Sequence, residues 1–265
     1  MGTVLFLVIG FLSLVLAFVL EGGHLGGLIV GTAAMIVFGG TLGAVGVSFP
    51  LNTVKRFPAV FRMAFRNTPS RGLETILYLV DIAGTARRQG VLALESMTTG
   101  KESFSPLAAV GLRLVVDGVE PKIVREVMEL YLESASERHR AGAAMFDAAG
   151  GFAPTMGILG TVMGLVHVLG NLSDPGKLGP AISVAFIATL YGVGSANLFW
   201  LPLAAKLKAL NEQELQESQM LVEGIALIGE GVSPRIVEEK LQAFLDPQVL
   251  ANFTSPFTGR NEEAA

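Results

Sequence analysis

The groups in this chain that could handle an ion are neutral oxygens set inside apolar sequence. Residues 152–171 and 181–204 carry Thr155, Thr161, Ser183, Thr189, Ser195 and Asn197 but no Asp, Glu, Lys or Arg. Each stretch is long enough to cross a bilayer, which takes about 20 residues in a helix. Hydroxyls on facing helices, Thr161 and Thr189 above all, suit partial coordination of a hard cation such as sodium. The same hydroxyls can relay a proton through water, or simply bond to their own helix backbone. A helix pair that moved charge alone would show an ionisable group at mid-membrane. Here that group comes from a partner, or no ion passes.

Small residues surround those hydroxyls. Gly157, Gly160 and Gly164 share one face of the third apolar stretch, with Thr161 adjoining it. Ala181, Ala185, Ala188, Thr189, Gly192 and Ala196 do the same in the fourth. Such faces let helices approach closely in lipid, where packing rather than the hydrophobic effect drives association. Pro154 opens the third stretch and Pro202 lies near the inner end of the fourth. Prolines in those places kink a helix or free a carbonyl, and equally serve as a plain start or stop. Tyr191 and Trp200 read as interfacial or packing residues, and His167 as the same more readily than as a proton relay. Asp147, before the third stretch, would attract cations or cap that helix.

These elements sit in a chain of 265 residues that is 51% hydrophobic and 16% charged, with a mean hydropathy of +0.56. A soluble domain carries about 25% charged residues. The apolar residues fall in blocks towards both ends, so the expected fold is an all-α integral membrane protein with a polar insert. Residues 2–20 form one block without Lys or Arg ahead of it and without a convincing cleavage site after it, which predicts a retained membrane helix. Glu21–Gly27 is then a turn, and a second span runs from about Leu28 to Phe49, stopped by Pro50. A net charge of −4 gives nucleic acid no basic surface. There is no cysteine, so disulfides and thiolate sites are excluded, and His24, His139 and His167 are too scattered for a zinc site.

Lysine and arginine set the topology. None precedes Lys55, thirteen lie in residues 51–151, Lys177 stands alone between spans three and four, and five follow residue 204. With four spans, the insert, the tail and both termini are expected on the cytoplasmic side. The insert reads as helical. Leu73, Ile76, Leu77, Val80, Ile82, Ala83 and Ala86 form a stripe over residues 70–95. Pro121 starts a helix over 121–147 that carries Ile123, Val124, Val127, Met128, Tyr131 and Leu132. Gly90 and Gly100 punctuate, and Ser105-Pro106 starts a further short helix. Leu207–Ile228 extends the fourth span, Ser233-Pro234 caps a helix of 234–245 ended by Asp246-Pro247, and a polar end after Asn252 frays.

Residues 153–172 (APTMGILGTVMGLVHVLGNL), 178–193 (LGPAISVAFIATLYGV) and 86–95 (ARRQGVLALE) carry a strong resemblance. The chain resembles the A subunits of flagellar motor stators, the MotA/PomA/MotP family, over almost its whole length. The resemblance implies a cation-driven torque generator used in motility and chemotaxis, with two spans in 1–50, a rotor-interacting insert in 51–150, the ion path in 151–204 and a cytoplasmic tail in 205–265. It implies a homo-pentamer around two copies of a single-span B subunit (MotB/PomB/MotS-like) that supplies a membrane aspartate. It implies no cofactor beyond the transported sodium or proton, and a place in the bacterial inner membrane among its lipids.

By the same resemblance Thr161, Thr189, Pro154 and Tyr191 belong to the ion path, with sodium favoured, and Pro154 and Pro202 to conformational coupling. Arg87, Arg88 and Glu95 belong to contact with the rotor protein FliG. A TolQ/ExbB-like energiser shares the third- and fourth-span motif but usually has three spans, and the four spans and the Arg87–Glu95 segment argue against it. A non-transporting scaffold would need neither ion nor partner acid. No nucleophile–base pair, metal cluster or phosphate loop supports an enzyme.

Overall fold

The computed structural model describes residues 2–66, 69–98, 104–251, 253 and 255, all helix, turn or irregular, with no strand among them. In chain order the α-helices are α1 (Gly2–Leu20), α2 (Gly31–Ala34), α3 (Gly40–Ser48), α4 (Leu51–Val54), α5 (Phe57–Phe65), α6 (Gly72–Gln89) and α7 (Glu95–Thr98). They continue as α8 (Pro106–Val116), α9 (Pro121–Gly170), α10 (Pro175–Ser195), α11 (Leu201–Gly229), α12 (Pro234–Gln242) and α13 (Pro247–Ala251). Four segments are long and apolar enough to cross a bilayer: Gly2–Leu20, Leu25–Ser48, and stretches of Pro121–Gly170 and Leu178–Gly229. The expected polar end after Asn252, and Gly100, lie outside the described residues except for Phe253 and Ser255.

The packing divides the chain into two units, residues 1–67 with 138–209, and residues 68–137 with 210–265. The first unit holds the membrane-length segments. Its α1 is apolar along most of its length and buries no residue fully, while Gly10 approaches Leu198 and Thr3 accepts from Lys206 Nζ. Ala33 and Val37 of the second span pack on Ile187 and Ala188 of the fourth. The second span is not a plain helix: a π turn at Met35–Gly39 joins α2 to α3. At one end of the unit Phe146, fully buried, stacks on Phe57 at 4.8 Å and on Phe61 at 6.4 Å, with Trp200 at 6.1 Å. This aromatic cluster fixes the short helix α5 to α9, and Gly142 gives Val60 its room.

The second unit packs α6, α8 and α12 with the first part of α9 and the last part of α11. Ile76, Leu79, Ile82, Leu112, Met128, Ile225 and Leu241 form its core. Ser105 caps α8 by accepting from the Ala108 N–H at 3.1 Å, the expected role. Two polar links cross the core helices: Asn211 Nδ2 donates to Ser136 Oγ at 3.1 Å, both buried, and Arg125 pairs with Glu223. The hydrogen bond to Glu223 raises the Arg125 pKa above its ordinary value, against the opposing effect of burial.

Several expectations change. In α6 the buried face is Gly72, Thr75, Ile76, Leu79, Val80, Ile82 and Ala83, leaving Leu73 and Leu77 exposed. Thr75 can enter the core because its hydroxyl donates to the Arg71 carbonyl at 2.9 Å, so a polar residue lies on the face that apolar spacing assigned elsewhere. In α9 the buried row is Val124, Met128, Leu132 and Ser136, while Ile123 and Tyr131 are exposed. The helix that carries the fourth span starts at Pro175, six residues ahead of residue 181, because proline is well placed in a first helical turn. The helix over 121–147 does not stop before the third span; α9 is one element of 50 residues. The tail helix α12 closes at Gln242 rather than 245, Ser233 makes no side-chain cap, and Pro247 opens the further short helix α13.

Candidate ion path

The third and fourth spans touch backbone to backbone. A Cβ added at Gly157 would lie 2.9 Å from the Ala188 carbonyl oxygen and 3.2 Å from the Cα of both Thr189 and Gly192. At Gly160 it would lie 2.6 Å from Ala188 Cβ, and at Gly164 3.1 Å from Ala185 Cα. The glycine face of one span therefore fits the alanine–glycine face of the other.

This closeness brings the two hydroxyls together. Thr161 Oγ1 lies 3.0 Å from the Ala185 carbonyl across the interface and 3.1 Å from the Gly157 carbonyl of its own helix. Its third neighbour is Thr189 Oγ1, in direct hydrogen-bond contact. A hydroxyl has one proton to give. If Thr161 gives its proton to a carbonyl, Thr189 must donate to Thr161. The result is a charge-neutral knot of four oxygens, from two hydroxyls and two carbonyls, half-buried between two helices. Such a cluster offers lone pairs to a hard cation but cannot hold its charge alone.

The other polar residues of the two spans do not join it. Thr155 donates to the Phe152 carbonyl at 2.7 Å, Ser195 to Gly192 at 3.2 Å and Asn197 to Val193 at 2.9 Å, each within its own helix. Ser183 is exposed. Tyr191 lies on another side of α10. Its hydroxyl donates to the Leu28 carbonyl and accepts from the Val30 N–H at 3.2 Å, holding the non-helical entry of the second span. His167 and Asp147 are exposed; Asp147 sits inside α9 rather than capping it, and accepts from Lys208 Nζ at 3.0 Å.

Pro154 does not open a helix: it lies inside α9. Its missing N–H leaves the Gly150 carbonyl without its usual partner. Gly150 itself lies close against Leu201, whose Cγ would be 2.6 Å from a Cβ there. Pro202 is the second residue of α11 and follows a π turn at Ala196–Trp200. There the Leu201 N–H reaches back five residues to the Ala196 carbonyl. The expected kink or freed carbonyl takes the form of a widened turn. Trp200 lies in it buried, not at an interface, and its Nε1 finds no partner among the described residues.

In the other unit, Arg87 and Arg88 end α6, where cations complement the helix dipole. Gly90, at φ +85°, turns the chain so that Leu94 is buried and Glu95 begins α7. All three charged residues are exposed. Sequence reasoning missed the Asp147–Lys208, Arg125–Glu223 and Ser136–Asn211 links, because no local spacing connects residues so far apart. Among the described residues no three His, Cys, Asp or Glu gather as metal ligands.

Two family models match the chain: the motility protein A N-terminal region over residues 4–90, and the MotA/TolQ/ExbB proton channel family over residues 100–220. Motility protein A of Bacillus subtilis is 34% identical over 258 residues, covering 97% of this chain and 95% of its own. The chemotaxis protein PomA of Vibrio alginolyticus is 33% identical, covering 93% and 95%. The solved flagellar MotAB stator complex from Bacillus subtilis superposes with a TM-score of 0.88 at 33% identity, covering 96% of this chain and 100% of that one. With four membrane-length segments, acid-free stretches at 152–171 and 181–204 that meet through a glycine face, and this likeness along almost its whole length, the chain belongs to the MotA/PomA family of flagellar motor stator subunits.

Proposed function

We propose that this stator subunit passes a cation, sodium in preference to a proton, along the third and fourth spans, completed by an aspartate from a B-type subunit. The observation that carries it is the Thr161–Thr189 hydroxyl contact between two membrane stretches, 152–171 and 181–204, that hold no acid of their own. Five copies ring two B subunits, and ion binding and release at the partner carboxylate step the ring. Pro154 and Pro202 are the places where a helix already departs from the regular hydrogen-bond ladder, so they are where that step bends the chain most cheaply. Tyr191 supports the path by fixing the second span against α10. The insert and both termini face the cytoplasm of an inner membrane, a placement the lysine and arginine distribution supports. The subunit moves an ion and a rotor and makes no covalent bond.

The test is swimming speed across sodium concentrations at fixed proton-motive force, with the chain and a cognate B subunit in a stator-less strain. Speed should rise with sodium, and Thr161→Ala should lose that response. Speed indifferent to sodium but lost with a protonophore would make it a proton stator and reduce the hydroxyls to packing.

Arg87, Arg88 and Glu95 are the proposed contacts to FliG, where charge steers encounter with a large partner. Arg87→Glu should stop swimming while leaving thermal stability within about 0.5 kcal/mol, the usual range for an exposed substitution. Swimming that persists would remove Arg87 from the rotor contact.

A further inference from the structure

We infer that α5 and the turn before it form an anionic-lipid site at the end of the second span. The helix has two opposed faces. Phe57, Val60, Phe61, Ala64 and Phe65 turn inward and pack with the cluster around Phe146 and Trp200. Lys55, Arg56, Arg62 and Arg66 are exposed on the other side, with Met63 beside them at 40% exposure. The apolar face is thus already covered, and what remains free is cationic.

Among the described residues nothing pairs with these charges. No Asp or Glu occurs between Glu21 and Glu74. Among the described residues none of the four forms an ion pair or a side-chain hydrogen bond, whereas the cations Arg71, Lys206 and Lys208 are engaged with Glu74, Thr3 and Asp147. Their place decides the occupant. The second membrane-length segment ends at Ser48, Pro50 follows, and Leu51 is 73% exposed, so Lys55 lies seven residues beyond the last apolar turn. That is headgroup depth. An amphipathic helix there, with lysine and arginine on the outer face, meets negatively charged headgroups with favourable free energy at each cation.

The inference rests on Leu25–Ser48 crossing a bilayer, and its test does not use swimming. The full chain is placed in phosphatidylcholine bilayers containing spin-labelled phosphatidylglycerol or spin-labelled phosphatidylcholine, and the motionally restricted fraction is read. Wild type should select phosphatidylglycerol at least about threefold, with the preference falling towards one as salt screens it. The variant K55Q/R56Q/R62Q/R66Q should bring it to about one, while R113Q/R235Q, exposed cations of the other unit, should leave it unchanged. Salt-insensitive or absent selectivity in wild type overturns the site without any variant. So does selectivity retained by the fourfold variant, or lost equally in R113Q/R235Q. Selectivity retained while the oligomer falls apart would assign the basic face to acidic residues of a second copy. A wild-type chain that supports swimming yet shows no selectivity defeats this inference alone.

Discussion

Gly192→Val should separate the third and fourth spans and end motility. A Cβ at Gly192 would lie 2.9 Å from Gly157 Cα, 3.2 Å from Gly157 N and 2.5 Å from the Ala153 carbonyl oxygen. All three are backbone atoms of the facing helix and cannot swing aside, so valine must push the helices apart. Overpacking of this kind costs about 1–3 kcal/mol where side chains can yield, and more where they cannot. Separation also breaks the bond from Thr161 to Ala185, 3.0 Å long and dependent on the close approach. The expected result is a lower thermal midpoint in detergent and no swimming at any sodium concentration. Gly194→Val, where an added Cβ meets nothing within 4 Å, should keep the wild-type midpoint. Equal midpoints for both variants would mean that the spans do not pack through Gly192.

Phe146→Ala should be the costliest change in the aromatic cluster. The ring is fully buried, lies nearly parallel to Phe57 at 8° and Phe61 at 12°, and meets Trp200 at an angle of 50°. Truncating a buried phenylalanine costs about 3–5 kcal/mol through lost transfer energy and the cavity left behind. Phe146→Leu should recover roughly half, since it refills most of the volume. Unfolding in mixed detergent or guanidinium would measure both. A loss below about 1 kcal/mol would show that the cluster collapses onto the vacancy, or that α5 is not held by it.

Much of this was legible from residue type and spacing. Apolar length locates four spans, and the Gly157–Gly160–Gly164 spacing marks the face that meets Ala185, Ala188 and Gly192. The hydroxyl pair was legible too, because Thr161 lies beside that face and Thr189 on the opposing one. What sequence hid is mostly non-local. Gly150-Gly151 and Pro154 look like a break, but packing by a neighbouring helix keeps such residues inside a membrane helix, and α9 runs on. The two π turns, Met35–Gly39 and Ala196–Trp200, have no compositional signature. Periodicity alone places Leu73 and Leu77 with the core, because it cannot see that Thr75 satisfies its own hydroxyl and takes the buried place.

The hold of Tyr191 on Leu28 and Val30 also constrains how the protein is made. The Val30 N–H and the Tyr191 hydroxyl that accepts it are 161 residues apart. At about 5–20 residues per second, translation leaves roughly 10–30 s between their appearance. Throughout that interval the first hairpin has peptide groups that its own helix leaves unsatisfied and that hydrocarbon cannot solvate. The nascent chain must therefore keep the Leu28 carbonyl and the Val30 N–H in water or within the insertion machinery until the last span arrives. The second span finishes its assembly only when the fourth is synthesised, so this multi-pass protein matures out of sequence order.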